Sequence, residues 1–170
     1  MEIIEYIEYV KEKHKGQVRK QGTPYYWHPV AVSRILYDKG IRDKNILTAA
    51  LFHDLIEDTS VTYEEIKEIS NESIAKMVKI LSKEKGCEMS EYIQKIKENN
   101  STKLIKLADR LHNLSETKLC SEEFQKKYIK ETEDWYVDLA KDTIFEEDIN
   151  KELNKLKQVQ HEHEEEIEER

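Results

Sequence analysis

Leu51-Phe52-His53-Asp54-Leu55-Ile56-Glu57-Asp58-Thr59 decides how this chain reads. It places four titratable side chains in six residues of an otherwise apolar run. Leu47 and Ala50 extend that run upstream. The pattern predicts a helix over about residues 43–56 that is central and buried on most sides. Burying Asp54, Glu57 and Asp58 unpaired would cost several kcal/mol per ion, and a cation removes that cost.

Two more donors lie outside the stretch. His28 precedes Pro29, and Asp109 interrupts the apolar face of Leu107-Ala108-Asp109-Arg110-Leu111-His112-Asn113. Imidazole and carboxylate donors together suit divalent Mn, Fe, Co or Zn. His28, His53, Asp54 and Asp109 are therefore the candidate ligands, with open positions for water and substrate oxygens. Glu57 and Asp58 follow His53 and Asp54 by four residues and so stack on the same faces. Carboxylates there can orient or deprotonate an attacking water. Acids at a helix C-terminus oppose the macrodipole, so the placement carries a cost that function explains. Asn113, four residues after Asp109, is expected to face the same cavity, and His112 to point away.

The 170 residues suit one domain with a real core. Hydrophobic and charged fractions are both 38%, with only 4 Gly and 2 Pro, which favours an all-α protein with Glu- and Lys-rich solvent faces. A formal charge of −8 argues against non-specific nucleic-acid binding, but a metal can reverse the local potential for a small anionic substrate. Cys87 and Cys120 lack metal or redox spacing and read as reduced thiols. The N-terminal residues do not resemble a signal peptide, and no run is long enough to span a membrane. A cytoplasmic protein is expected, its oligomeric state open.

Apolar spacing predicts about eight or nine helices. The first covers residues 2–14. A basic, aromatic loop follows, Val18-Arg19-Lys20-Gln21-Gly22-Thr23-Pro24-Tyr25-Tyr26-Trp27. Pro29 opens the second helix and Gly40 stops it. Thr62 with Glu65 forms a capping-box pattern, and Ser90 is expected to cap the helix through Ile93 and Ile96. Further helices are expected over 101–115, 121–143 and from 146 onward. Beyond Gln160 little is left to bury, so a solvated or frayed extension is expected. The domain assignment is 1–145, with 146–170 a charged C-terminal helix or an extension of the same domain.

These blocks resemble the HD-domain metal-dependent phosphohydrolases, and more narrowly the hydrolase domain of RelA/SpoT enzymes and their small stand-alone relatives. The resemblance rests on Gln17 to Pro29, Ala50 to Thr59, Val61 to Ile66 and Lys106 to Leu114, and spans about residues 14–116. It implies a single helical HD domain and one metal, usually Mn, on His28, His53, Asp54 and Asp109. It implies removal of the 3′-diphosphate from ppGpp or pppGpp, releasing pyrophosphate. Glu57 and Asp58 would activate or position water. Arg19, Lys20 and Tyr25 would line the nucleotide pocket, and Asn113 would contact substrate. The chain has no room for a synthetase domain. Its segment from Ile80 to Asn100 differs from the long enzymes, which leaves another nucleotide such as NADPH or a deoxynucleotide as an alternative substrate. A catalytically silent alarmone-binding protein is a third reading, and a purely structural helical module the last.

Overall fold

The computed structural model describes residues 2–168, and the chain is all-α. Its backbone contacts divide it into two units, 1–109 and 110–170. Among the described residues the β content is one isolated antiparallel bridge, Val18 with Pro24. No described helix is long and apolar enough to cross a membrane.

The first unit is built on α3 (Lys44–Phe52), whose Thr48, Ala49, Ala50, Leu51 and Phe52 are buried in succession. A helix apolar all round needs neighbours on every side. It packs against α1 (Ile3–Lys13), α2 (Trp27–Asp38) and α6 (Glu72–Leu81). Asp43 caps it, its carboxylate accepting the Asn45 and Ile46 N–H groups at 2.8 and 3.2 Å. Helix α2 ends as the sequence predicts. Gly40, at φ +93°, donates to the Tyr37 carbonyl, and Ile41 donates to that of Leu36, a Schellman closure. Pro29 falls in the first turn of α2, where an absent N–H loses no helical bond.

Helix α3 does not run on to Ile56. It stops at Phe52, and a separate turn, α4 (Leu55–Asp58), follows. Asp54 takes φ −100°, ψ −2°, in the sparsely populated region between helix and strand. His53 uses Nδ1 to donate to the Ala50 carbonyl at 2.7 Å, a side-chain bond that competes with helical continuation. Glu57 and Asp58 therefore belong to the first turn of a short helix rather than to the end of a long one.

Helix α5 (Tyr63–Ile69) starts on the expected Thr62 cap, whose hydroxyl accepts the Glu65 N–H. Helix α7 (Met89–Lys97) starts earlier than expected, with Glu88 at the cap position and Ser90 inside the first turn. Helix α8 (Asn100–Thr117) carries Asp109.

In the second unit, the helix expected over 121–143 is interrupted. Helix α9 (Glu122–Glu131) passes into a π-helical segment, Thr132–Tyr136, before α10 (Val137–Ala140). Thr132 donates its hydroxyl to the Tyr128 carbonyl at 2.7 Å within that stretch. Arg110 lies buried there, its guanidinium 4.0 Å from the Tyr128 ring centroid and 3.7 Å from that of Tyr136, and it pairs with Glu131. Helix α11 (Glu146–Glu168) buries Ile149, Leu153, Leu156 and Gln160, and the Gln160 amide meets that of Gln125. His161 and Glu162 beyond it are exposed, as expected, while the side chains of Glu164 and residues 166–170 lie outside the described residues.

Arg110 makes a prediction for this unit. Arg110→Ala removes two ring-stacked contacts and leaves Glu131 unpaired. Urea unfolding should show a loss of about 2–4 kcal/mol, tempered because Glu131 is partly hydrated. Arg110→Lys should recover little of it, since an ammonium cannot stack as a plane. A loss within about 0.5 kcal/mol in the alanine variant would contradict this account.

Candidate active site

His28 comes from the first turn of α2, His53 and Asp54 from the break between α3 and α4, and Asp109 from α8. The fold gathers His28, His53 and Asp109 in one cluster and sets Asp54 beside its two histidines. His28 Nε2 lies 2.8 Å from Asp109 Oδ1 and 3.9 Å from Asp54 Oδ2. His53 Nε2 lies 2.8 Å from Asp54 Oδ2 and 3.7 Å from Asp109 Oδ1. His28, His53 and Asp109 are each at most 5% exposed. Among the described residues, these three offer ligand atoms within 4.8 Å of one another.

The nitrogen geometry tests whether a cation fits. His53 spends its Nδ1–H on the Ala50 carbonyl. Its Nε2 is buried and makes no hydrogen bond, because Asp54 Oδ2 is close but badly directed. A ring nitrogen oriented by a backbone carbonyl and left with its lone pair among carboxylates is the arrangement a metal-ligating histidine has. Donors around an ion at ~2.0–2.2 Å sit roughly 3 to 4 Å from each other, and the histidine–carboxylate pairs here lie 2.8 to 3.9 Å apart. The donor set fits a divalent metal.

Electrostatics point the same way. Burial resists charge on His53, but the Asp54 and Asp109 carboxylates outweigh it and lift the imidazole to about 10. Burial likewise opposes ionisation of Asp54 and Asp109, yet both are held below the usual carboxylate range. His53 and His28 do this for Asp54, and Lys106 with the two histidines for Asp109. Burial pushes His28 down. The centre demands a positive charge, which a proton on His53 or a bound cation can supply.

Glu57 and Asp58 sit at the exposed rim of this centre on α4. Glu57 Oε2 accepts the Lys83 N–H at 3.0 Å. Both carboxyls are pushed up, chiefly by partial burial and, for Asp58, then by the charge of Asp54. A raised carboxyl is a better proton acceptor than an ordinary one.

Tyr25 engages the donor cluster through both its hydroxyl and its ring. Its hydroxyl donates to Asp54 Oδ2 at 2.5 Å, and its ring lies 4.9 Å from that of His14 and 5.9 Å from that of His28. Burial and the nearby carboxylates push its phenol far up, so it stays a donor. Arg19 and Lys20 occupy a tight loop closed by Arg19 N–H to Thr23 O at 2.8 Å and Gly22 N–H to Arg19 O at 2.8 Å. Asn113 belongs to the second unit, one turn beyond Asp109 along α8.

Sequence reading missed three residues. Lys106 places Nζ 2.8 Å from Asp109 Oδ2, and its spacing of three on one helix is a signal that could have found it. His14 and Gln17 reach the site through Tyr25 and Asp58, a connection with no local sequence signature.

Residues 7–143 match the HD domain family. The guanosine-3′,5′-bis(diphosphate) 3′-pyrophosphohydrolase of Aquifex aeolicus is 41% identical over 82% of this chain, which spans only 21% of that longer protein. The Danio rerio protein of the same name, MESH1, is 33% identical over 82% of both chains. The solved structure of a metazoan SpoT ortholog that hydrolyses ppGpp superposes with a TM-score of 0.77 at 29% identity, covering 89% of this chain and 93% of that one. With this architecture, this donor set and these relatives, the chain belongs to the HD-domain family.

Proposed function

We propose that this protein removes the 3′-diphosphate of ppGpp or pppGpp by hydrolysis, releasing pyrophosphate, with Mn2+ held by His28, His53, Asp54 and Asp109. The observation that carries this is the buried His53 Nε2 with no hydrogen bond, facing two ionised carboxylates and a second imidazole. The MESH1 relatives from Danio rerio and Xenopus tropicalis support the substrate, because this chain covers 82% and 83% of their lengths. A divalent ion held there would supply positive charge to phosphoryl oxygens and would make a nearby water more acidic. Glu57 and Asp58 take or guide the proton of that water. Tyr25 fixes the orientation of Asp54 through its hydroxyl. Arg19 and Lys20 meet the nucleotide phosphates, and Asn113 contacts substrate near Asp109. Residues 1–145 form the hydrolase domain, with 146–170 as its C-terminal extension, and the protein acts in the cytoplasm.

The direct test is turnover of ppGpp, pppGpp, NADPH and deoxynucleoside triphosphates by the Mn-loaded protein. Pyrophosphate should be released from the first two. Phosphate release from NADPH alone would replace the substrate, and tight ppGpp binding without products would make the protein a sensor.

Ligand and proton-transfer roles separate by mutation. Asp54→Ala should lose metal and turnover together. Glu57→Ala should keep the metal and slow turnover about 10²- to 10⁴-fold. Equal metal loss in both variants, read by elemental analysis, would contradict the division of roles.

The His53 proton gives a pH dependence. Its folded-state pKa of about 10 lies above the ordinary 6.5, so it stabilises the metal-free protein fully below about pH 6.5. That stability is lost as pH rises through about 10. Melting of chelator-treated protein should therefore fall across this window. Mn2+ displaces the same proton, so its affinity should rise by up to about tenfold per pH unit in the window. A pH-independent Mn2+ affinity would rule out His53 as a ligand.

A further inference from the structure

Both carboxylates placed at the rim stand on α4, a single turn, Leu55–Asp58, without a side-chain cap. One turn does not hold its own conformation, because nucleation costs more than its first hydrogen bonds return. Bonds from outside must set where Glu57 and Asp58 point. The Lys83 N–H holds the Glu57 carboxylate. At Asp58, the last carbonyl of the turn accepts the Gln17 side-chain N–H at 2.9 Å, from a residue 41 positions upstream.

That bond dictates a chain of orientations. Because Gln17 Nε2 donates to a carbonyl, Oε1 faces the other way, onto His14 Nδ1 at 2.9 Å. Oε1 can only accept, so Nδ1 carries the hydrogen. His14 is 1% exposed, and its Nε2 is left buried with no hydrogen bond. The ring is therefore seated for its Nδ1 partner and for the Tyr25 ring 4.9 Å away. Gly16, at φ +83°, makes the turn that folds Gln17 back onto His14, with the Gln17 N–H on the His14 carbonyl at 3.0 Å. The Gln17 carbonyl in turn accepts the Tyr25 N–H at 2.9 Å, and the Tyr25 hydroxyl reaches Asp54.

We infer that His14 and Gln17 are positioning residues: His14 orients the Gln17 amide, and Gln17 sets Asp58 and Tyr25 at fixed distances from Asp54. This rests on the role given to Asp58 above. They touch neither substrate nor metal, and act on the reaction through Asp58.

The test is a cycle in the full chain with Mn2+ and ppGpp. Gln17→Leu should lower kcat about ten- to a hundredfold, the scale of a small misplacement, with KM changed less than about threefold and metal content unchanged. Added to Asp58→Asn, the same substitution should change kcat less than about twofold, since the group it positions is already gone. His14→Asn, which keeps a donor near the Nδ1 position, should retain kcat within about threefold, whereas His14→Phe should match Gln17→Leu. Should Gln17→Leu fail to fold, Gln17→Glu, which sets an acceptor against the Asp58 carbonyl, should show the same loss and the same cycle. Losses that multiply in the double variant, or a loss confined to KM, overturn the inference alone. An Asp58→Asn variant as fast as the unaltered chain overturns the role of Asp58 and the inference with it.

Discussion

Two ionised carboxylates and two imidazoles share one buried volume, and the fold must answer their need for positive charge. Asp109 has the help of Lys106, and His53 carries a proton or faces a cation. This constraint explains local features that otherwise look unfavourable. The break after Phe52 interrupts a good helix, but it turns His53 and Asp54 toward one centre. On a continuous helix, consecutive side chains diverge by about 100°. The Ala50 carbonyl fixes the tautomer of His53 at the same point. A buried charge cluster with one partner missing would be strongly destabilising, and the donors are held from three places, α2, the α3–α4 break and α8.

The rim of the centre is built on another principle. Where His28 and Asp109 stand on packed helices, the two proton-handling candidates stand on one turn held by side-chain and backbone bonds from distant segments. Leu55 roots the turn in the core, while Glu57 and Asp58 lie on its exposed side.

Much of this was legible from residue order. The apolar run through Leu47, Ala50 and Leu51 announced a buried central helix, and charges set inside such runs marked His53, Asp54 and Asp109. Gly40 and Thr62 ended and began helices where their chemistry requires. The helix break was not legible, because Leu55 and Ile56 keep the helical spacing and the competing bond is made by a histidine side chain. Ser90 was misread because the chain turns into the helix before it, at Glu88. The π-helical segment was hidden for a similar reason, since Thr132 is compatible with an ordinary helix until its hydroxyl takes the Tyr128 carbonyl. Tyr25 is expected to line the nucleotide pocket, and only its position beside Asp54 shows its hydroxyl in use. Contacts between residues 41 positions apart, such as Gln17 with Asp58, leave no periodic trace.

Lys106 has an effect beyond steadying its neighbour. A doubly charged ion would be neutralised by Asp54 and Asp109 alone, so the ammonium 2.8 Å from Asp109 remains as a surplus. In a chain of formal charge −8, the side of the cage next to Lys106 would then be a small electropositive spot. A monovalent ion in the same place would leave that spot neutral and without pull on a polyanion. The valence of the ion, as much as its size, would decide whether a phosphorylated molecule is drawn in at all.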